Sequence, residues 1–406
     1  MGIEVEGVMS RLNYLPLYKS VCVLSITALL TACNATSPSN SLGHQAPLDN
    51  ELLLKDELFL EASALDIESQ TEIFALSDEM KSLVATEIRP ERKPHKKAKK
   101  LLTHIFDSNN VGLAYQSHAN LTAIETFNSQ RANCMSLTIM AFALAEASGL
   151  DASFQDVQIP EYWVRNGEYN LLTGHVNLKI HNVKNPSVQT VWGSKNLEID
   201  FDPFIRKKNF PKHKIDKNTV TAMFYNNKGA QSLVAREYSQ AYRYFKTAVL
   251  VAPKYGASWG NLGILYRFTG HNELAEDAYR QALLVDPRSL NTMNNLALLL
   301  ERQKRYDESR QIDSAIIKQR IKNPYYHALL ADEAFYNGNP ESAERHYNRA
   351  IKINGKIHEL YYGLAKVLNA QGKHKQAKRA LKKAININKL PDIERQYIAK
   401  LNLMPK

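Results

Sequence analysis

The sequence predicts two fold classes in one chain, a compact α+β domain in the middle and an all-α repeat solenoid behind it. Three observations carry that prediction. Small residues recur with a period of 34 through the C-terminal half. Between about 107 and 215 an apolar helix is followed by segments that alternate apolar and polar residues. An apolar run near the start ends in Leu30-Thr31-Ala32-Cys33, which sets the first residues apart from any folded domain.

The whole chain sets the frame. Its 406 residues are 44% apolar and 23% charged, ordinary values for a globular protein of two or three domains. A formal net charge of +11 favours anionic partners such as lipid headgroups. The basic residues are spread out and accompany no nucleic-acid motif, so no nucleic-acid partner is expected.

Residues 1–32 read as a targeting segment. Arg11 and Lys19 precede the apolar run Val21–Leu30, which is too short to span a bilayer. The order of charge, apolar run and LTAC resembles the signal of a bacterial lipoprotein. The resemblance implies cleavage before Cys33, acylation of its thiol, and membrane attachment through that lipid. Asn34 follows the cysteine where retained lipoproteins carry Asp, which resembles outer-membrane sorting, so the expected location is the cell envelope, lipid-anchored and facing the periplasm. Glu4 and Glu6 are unusual in a charged leader, which leaves Met9 as an alternative start. Residues 33–50, rich in Ser, Pro, Asn and Ala, read as a flexible tether.

With Cys22 removed and Cys33 acylated, Cys134 is left alone and no intrachain disulfide can form. A leftover thiol in an exported protein suggests a reactive cysteine, against the plainer reading of a small buried residue. Residues 51–106 read as a helical region. Leu52 to about Glu87 has helical spacing without Pro or Gly and predicts one or two helices. The basic run 89–100 predicts a solvated linker and helix start, with a membrane surface as the other option.

In residues 107–215, helices are predicted over Leu121–Asn128 and Met135–Ala147, the second stopped by Gly149. Strands are predicted over Phe154–Ile159, His175–Ile180 and Leu197–Phe204. Cys134 stands at a helix start, where unpaired N–H groups favour thiolate, and Asn133 can cap that helix. His175 opens a strand, and Asp200 and Asp202 share a face of the next. The segment QRANCMSLTIMAFALAEASGL, with the order Cys, His, Asp, resembles the transglutaminase-like, papain-related superfamily. The resemblance implies an α+β fold with Cys134 as nucleophile, His175 as base, and Asp200 or Asp202 orienting the imidazole. Asp202 precedes Pro203 as the family's aspartate often does, whereas the Ile-Asp-Phe context favours Asp200, so both stay open. The interval from His175 is longer than in compact members, with an insertion around 181–194. The implied reaction is acyl transfer from an amide, by hydrolysis or transamidation. The sequence has no HExxH, CxxC pair, dense His cluster or Gly-rich phosphate loop, so no metal, nucleotide or other cofactor is expected.

In residues 216–391 three position classes hold phase over five units. Gly229, Gly263, Ala297, Ala331 and Ala365 form one; Ala241, Ala275, Ser309, Ala343 and Ala377 the second; Ala248, Ala282, Ile316, Ala350 and Ala384 the third. The second unit, with Trp259, Leu262, Gly263, Tyr266, Ala275, Tyr279, Ala282 and Pro287, resembles the tetratricopeptide repeat. The third is degenerate, with Asp313 at an aromatic position, and residues 392–406 can cap the stack as a terminal helix. Asn227, Asn261 and Asn295 occupy one repeat position, with Asn226 and Asn294 beside two of them. Such residues either bond a neighbouring loop or form an amide ladder for an extended polypeptide.

Taken together, the chain is expected to be an α+β transglutaminase-like domain followed by an all-α tetratricopeptide-repeat solenoid. The expected function is a membrane-anchored thiol enzyme acting on amide bonds of a protein or peptide recruited by the repeats. The alternative is a non-catalytic repeat scaffold for an envelope complex.

Overall fold

The computed structural model describes residues 2–5, 50–106, 114–115, 119–129, 131–159, 161–166, 169–183, 196–201, 210–388 and 391–404. Cys33, the LTAC string and Asp202 lie outside them. Strand β1, Gly2–Val5, is the only described piece before residue 50.

The segment expected to form one or two helices is instead a string of short turns. It has 3-10 turns at Asn50–Leu53, Asp56–Leu58 and Leu60–Ala64, helices α1 (Gln70–Ile73) and α2 (Asp78–Leu83), and a π turn at Val84–Ile88. Two capping serines explain the breaks. Ser69 forms a capping box with Glu72, and Ser77 accepts from the Met80 N–H. Tertiary contacts explain the rest. Leu53, Phe59 and Ala62 sink into the core of the repeats, Phe59 stacks on Tyr242 at 4.4 Å, and the Tyr266 hydroxyl donates to the Leu53 carbonyl at 2.6 Å. The basic run does start a helix, α3 (Pro94–Phe106), which buries Ala98, Leu101 and Ile105.

After β2 (Ala114–Tyr115), α4 (Ala123–Asn128) and β3 (Arg131–Ala132) comes α5 (Cys134–Ala147). It is apolar all round and buried for nearly its whole length, as such a helix must be. Beneath it lies an antiparallel sheet in the order β8 (Leu197–Ile199), β7 (Val176–Ile180), β4 (Ala152–Val157), β9 (Lys212–Ile215). The third expected strand is shorter than its pattern and ends at Ile199. Pattern reading did not find β9, nor the hairpin of β5 (Tyr162–Asn166) and β6 (Tyr169–Thr173), which belongs to a separate sheet in the order β1-β6-β5.

The repeats are five helix pairs: α6 (Lys217–Val234) with α7 (Tyr238–Val251), α8 (Gly256–Phe268) with α9 (Asn272–Val285), α10 (Leu290–Arg302) with α11 (Tyr306–Arg320), α12 (Pro324–Tyr336) with α13 (Pro340–Ile353), and α14 (His358–Ala370) with α15 (His374–Ile387). From α8 onward, equivalent helices start 34 residues apart. The in-phase glycines mark a close crossing. A Cβ on Gly263 would sit 2.7 Å from the Tyr279 ring and 3.1 Å from the Ala275 carbonyl. The terminal helix α16 (Pro391–Asn402) stacks Tyr397 on Tyr362 at 4.8 Å. No break separates the α+β part from the solenoid. One apolar cluster runs from Ile73 through α5 and the sheet to Val220, Phe224 and Ala252 of the first repeat, and Asp216 caps α6 directly after β9.

Candidate thiol site

The site is built where α5 begins and β7 and β8 have their ends. Asn133 caps the helix, its Oδ1 accepting from the Ser136 N–H at 2.8 Å, so Cys134 is the first residue of the first turn, partly exposed. The Thr138 hydroxyl lies 2.7 Å from the Cys134 carbonyl and 3.3 Å from that of Val176, which ties this turn to the start of β7.

His175 immediately precedes β7 and is 2% exposed. Pairing of Leu178 with Ile199 brings the residue after β8, Asp200, to the level of Asn177. The imidazole Nε2 lies 2.9 Å from Asp200 Oδ1, and Asn177 Nδ2 donates to Asp200 Oδ2 at 3.2 Å. The Val157 N–H donates to the His175 carbonyl at 2.9 Å and fixes the backbone. Burial pushes the His175 pKa down. Hydrogen bonds to Asp200 and to the Cys134 thiol, with the charges of both, outweigh it and bring the pKa up to about 10. With Nε2 taken by Asp200, Nδ1 is the nitrogen left for the thiol.

The structure therefore brings Cys134, His175 and Asp200 together. Sequence reasoning missed Asn177, although its signal was available: it lies two residues along the strand from His175 and so shares its face. The arrangement sets a thiol beside an imidazole, with the carboxylate holding the ring's rotation and tautomer and the first N–H groups of α5 nearby.

Asn226, Asn227, Asn261, Asn294 and Asn295 are all buried. Asn261 Nδ2 donates to Asn226 Oδ1 at 2.9 Å, joining the first helices of successive repeats. Asn227 Nδ2 lies 3.8 Å from Met135 Sδ, next to the site cysteine. The hairpin β5–β6 reaches across to the third and fourth repeats. Arg320, 1% exposed, forms an ion pair with Glu161 at 2.9 Å, Asn323 Nδ2 donates to the Glu161 carbonyl at 3.0 Å, and Leu172 packs on Tyr326 and Leu330.

Residues 261–324 and 329–388 match the tetratricopeptide repeat family. Over 90 residues the chain is 28% identical to the photosystem I assembly protein Ycf3 of Prochlorococcus marinus (strain MIT 9215), covering 21% of this chain and 52% of that protein. Over 91 residues it is 32% identical to the general transcriptional corepressor trfA of Dictyostelium discoideum, covering 22% and 6%. The chain thus spans about half or less of the length of these relatives. Among solved structures it is similar to pilF of Pseudomonas aeruginosa, at 17% identity over 46% of this chain and 91% of that one with a TM-score of 0.27. It is also similar to YrrB, a TPR protein with an unusual peptide-binding site, at 13% identity over 45% and 92% with a TM-score of 0.26. The C-terminal half is a tetratricopeptide-repeat solenoid, a fold that serves protein–protein interaction.

Proposed function

We propose that this protein is a lipid-anchored scaffold of the cell envelope that holds a protein or peptide partner on its repeats beside a thiol centre of Cys134, His175 and Asp200. The matched family supports the interaction part. The leader and LTAC support the anchor: acylation of Cys33 would place the repeats at a membrane surface, facing the periplasm.

One observation favours a catalytic reading of the centre over a purely structural one. His175 is hydrogen-bonded to Asp200 and is influenced by the neighbouring Cys134 thiol, and Cys134 opens a helix. In that reading the thiolate attacks an amide carbonyl of the bound polypeptide. The C–N bond breaks as the imidazolium gives its proton to the departing amine, leaving a thioester. Water or an amine then attacks the thioester carbonyl and gives a proton back to His175, and the C–S bond breaks to release the Cys134 thiolate. Water yields hydrolysis and an amine yields transamidation.

Alkylation tests the centre directly. Cys134 should react one-to-one with iodoacetamide at pH 7, at least about ten-fold faster than free cysteine, and His175→Ala should remove that advantage. A rate at or below that of free cysteine would leave the repeat scaffold alone as the function.

A further inference from the structure

The hairpin β5–β6 presents one edge that a globular protein ordinarily covers. Strand β5 covers one side of β6. On the other side lies β1, antiparallel to β6, with Gly2 opposite Leu172, Ile3 opposite Leu171, Glu4 opposite Asn170 and Val5 opposite Tyr169. β1 also lies against α8 and α10, the first helices of the second and third repeats. The floor of this slot is thus a strand edge and its walls are repeat helices. The hairpin is held over the solenoid by the Arg320–Glu161 ion pair and by Leu172 on Tyr326 and Leu330.

The segment seated in the slot is a telling one. Residues 2–5 precede the apolar run and the LTAC string, so cleavage before Cys33 would remove them. What remains is a paired hairpin with one open edge facing a helical wall.

We infer that the outer edge of β6 is a strand-addition site for an extended segment of a partner polypeptide, running antiparallel to β6 and filled here by the chain's own residues 2–5. Recognition is through the main chain, whose N–H and C=O groups continue the ladder, so the site accepts an extended segment with few demands on its sequence. Direction follows from the register. β6 leads through Gly174 into His175, and Gly2 lies at that end. The N-terminal end of a bound segment therefore points toward the thiol centre. Continued pairing would bring the residue three before the one opposite Leu172 to the level of His175. This deepens the partner-binding reading above, and it stands whether or not Cys134 is catalytic.

The test uses the chain beginning at Asn34 and a fluorescent peptide with the sequence of residues 1–8, MGIEVEGV. Fluorescence polarisation should show saturable binding to this shortened protein, and binding at least about ten-fold weaker to the full chain, whose own strand competes. Two further peptides carry N-methyl groups on residues 2 and 4 or on residues 3 and 5. Along a β-strand, alternate N–H groups point to opposite sides, so one methylated frame should lose binding by at least about ten-fold and the other keep it. Asn170→Pro removes a donor from β6 and should weaken binding of the unmodified peptide, with the thermal unfolding curve and the alkylation rate of Cys134 recorded alongside. Equal loss in both methylated frames, equal binding to the full and shortened chains, or no binding to either would overturn the inference. Because Cys134 alkylation is read separately, an inert thiol with strand binding intact would refute only the catalytic reading.

Discussion

The Asp200–His175 contact lends itself to a quantitative test through Asp200→Asn. The change keeps the shape of the side chain and removes its charge from a pair whose two side chains are 2% and 5% exposed. A hydrogen bond to a charged group is worth about 1.5–3 kcal/mol, and about 1.4 kcal/mol corresponds to one pH unit, so the His175 midpoint should fall from about 10 to roughly 8–9. The new amide can be accommodated. Asn177 Oδ1 is buried without a hydrogen-bond partner among the described residues, so a turn of the Asn177 amide lets it accept where its Nδ2 now donates. The stability consequence has a definite sign. The folded-state pKa lies above the ordinary value of 6.5, so protonated His175 stabilises the fold. That contribution is full below about 6.5 and is lost as pH rises through about 10, and in the variant the loss is complete by roughly pH 8–9. The assay is an NMR titration of histidine labelled with carbon-13 at the ring Cε1 position, paired with urea unfolding at pH 7 and pH 10. A wild-type midpoint below 7, or the same midpoint in both proteins, would refute the coupling.

Two further outcomes are expected. Asn261→Ala should destabilise the solenoid by about 1–3 kcal/mol in urea unfolding, because buried Asn226 Oδ1 loses the donor 2.9 Å away, and a change below ~0.5 kcal/mol would show that this bond carries nothing. Mass spectrometry of the protein extracted from its native membrane should find a lipid-modified Cys33 at the N-terminus, and an unmodified N-terminus elsewhere would remove the anchor from the proposal.

The repeats were the most legible part of the sequence, and the reason is steric. Where two helices cross at backbone distance only Gly or Ala fits, as at Gly263 under Tyr279, so the constraint reappears in every unit and survives even the degenerate third one. The juxtaposition of Cys134, His175 and Asp200 was legible for a different reason. Cys134, His175 and Asp200 each stand at the end of an element, where capping and alternation leave a mark. Residues 51–88 were misread because helical spacing also arises when successive turns bury one side against a neighbour. Leu53 and Phe59 are spaced by the solenoid surface they cover and not by a helix of their own. The hairpin β5–β6 escaped because its partners are remote in sequence: Glu161 finds Arg320, and β6 finds β1.

Those remote contacts also determine how the two halves work on one another. α5 is fixed to the first repeat, through a shared apolar core with Val220 and Phe224, the Asn120 amide on the Phe224 carbonyl at 2.9 Å, and Asn227 beside Met135. The hairpin is fixed to the end of the third repeat by Arg320 and to the start of the fourth by Asn323, although only Gly174 separates it from His175. The two supports of the centre are therefore anchored at separated points of a stack in which each repeat contacts mainly its neighbours. A polypeptide lying against α8 and α10 sits between those anchors. A partner that altered the stack would act on both supports at once, and the Arg320–Glu161 ion pair is one contact through which the hairpin would feel it.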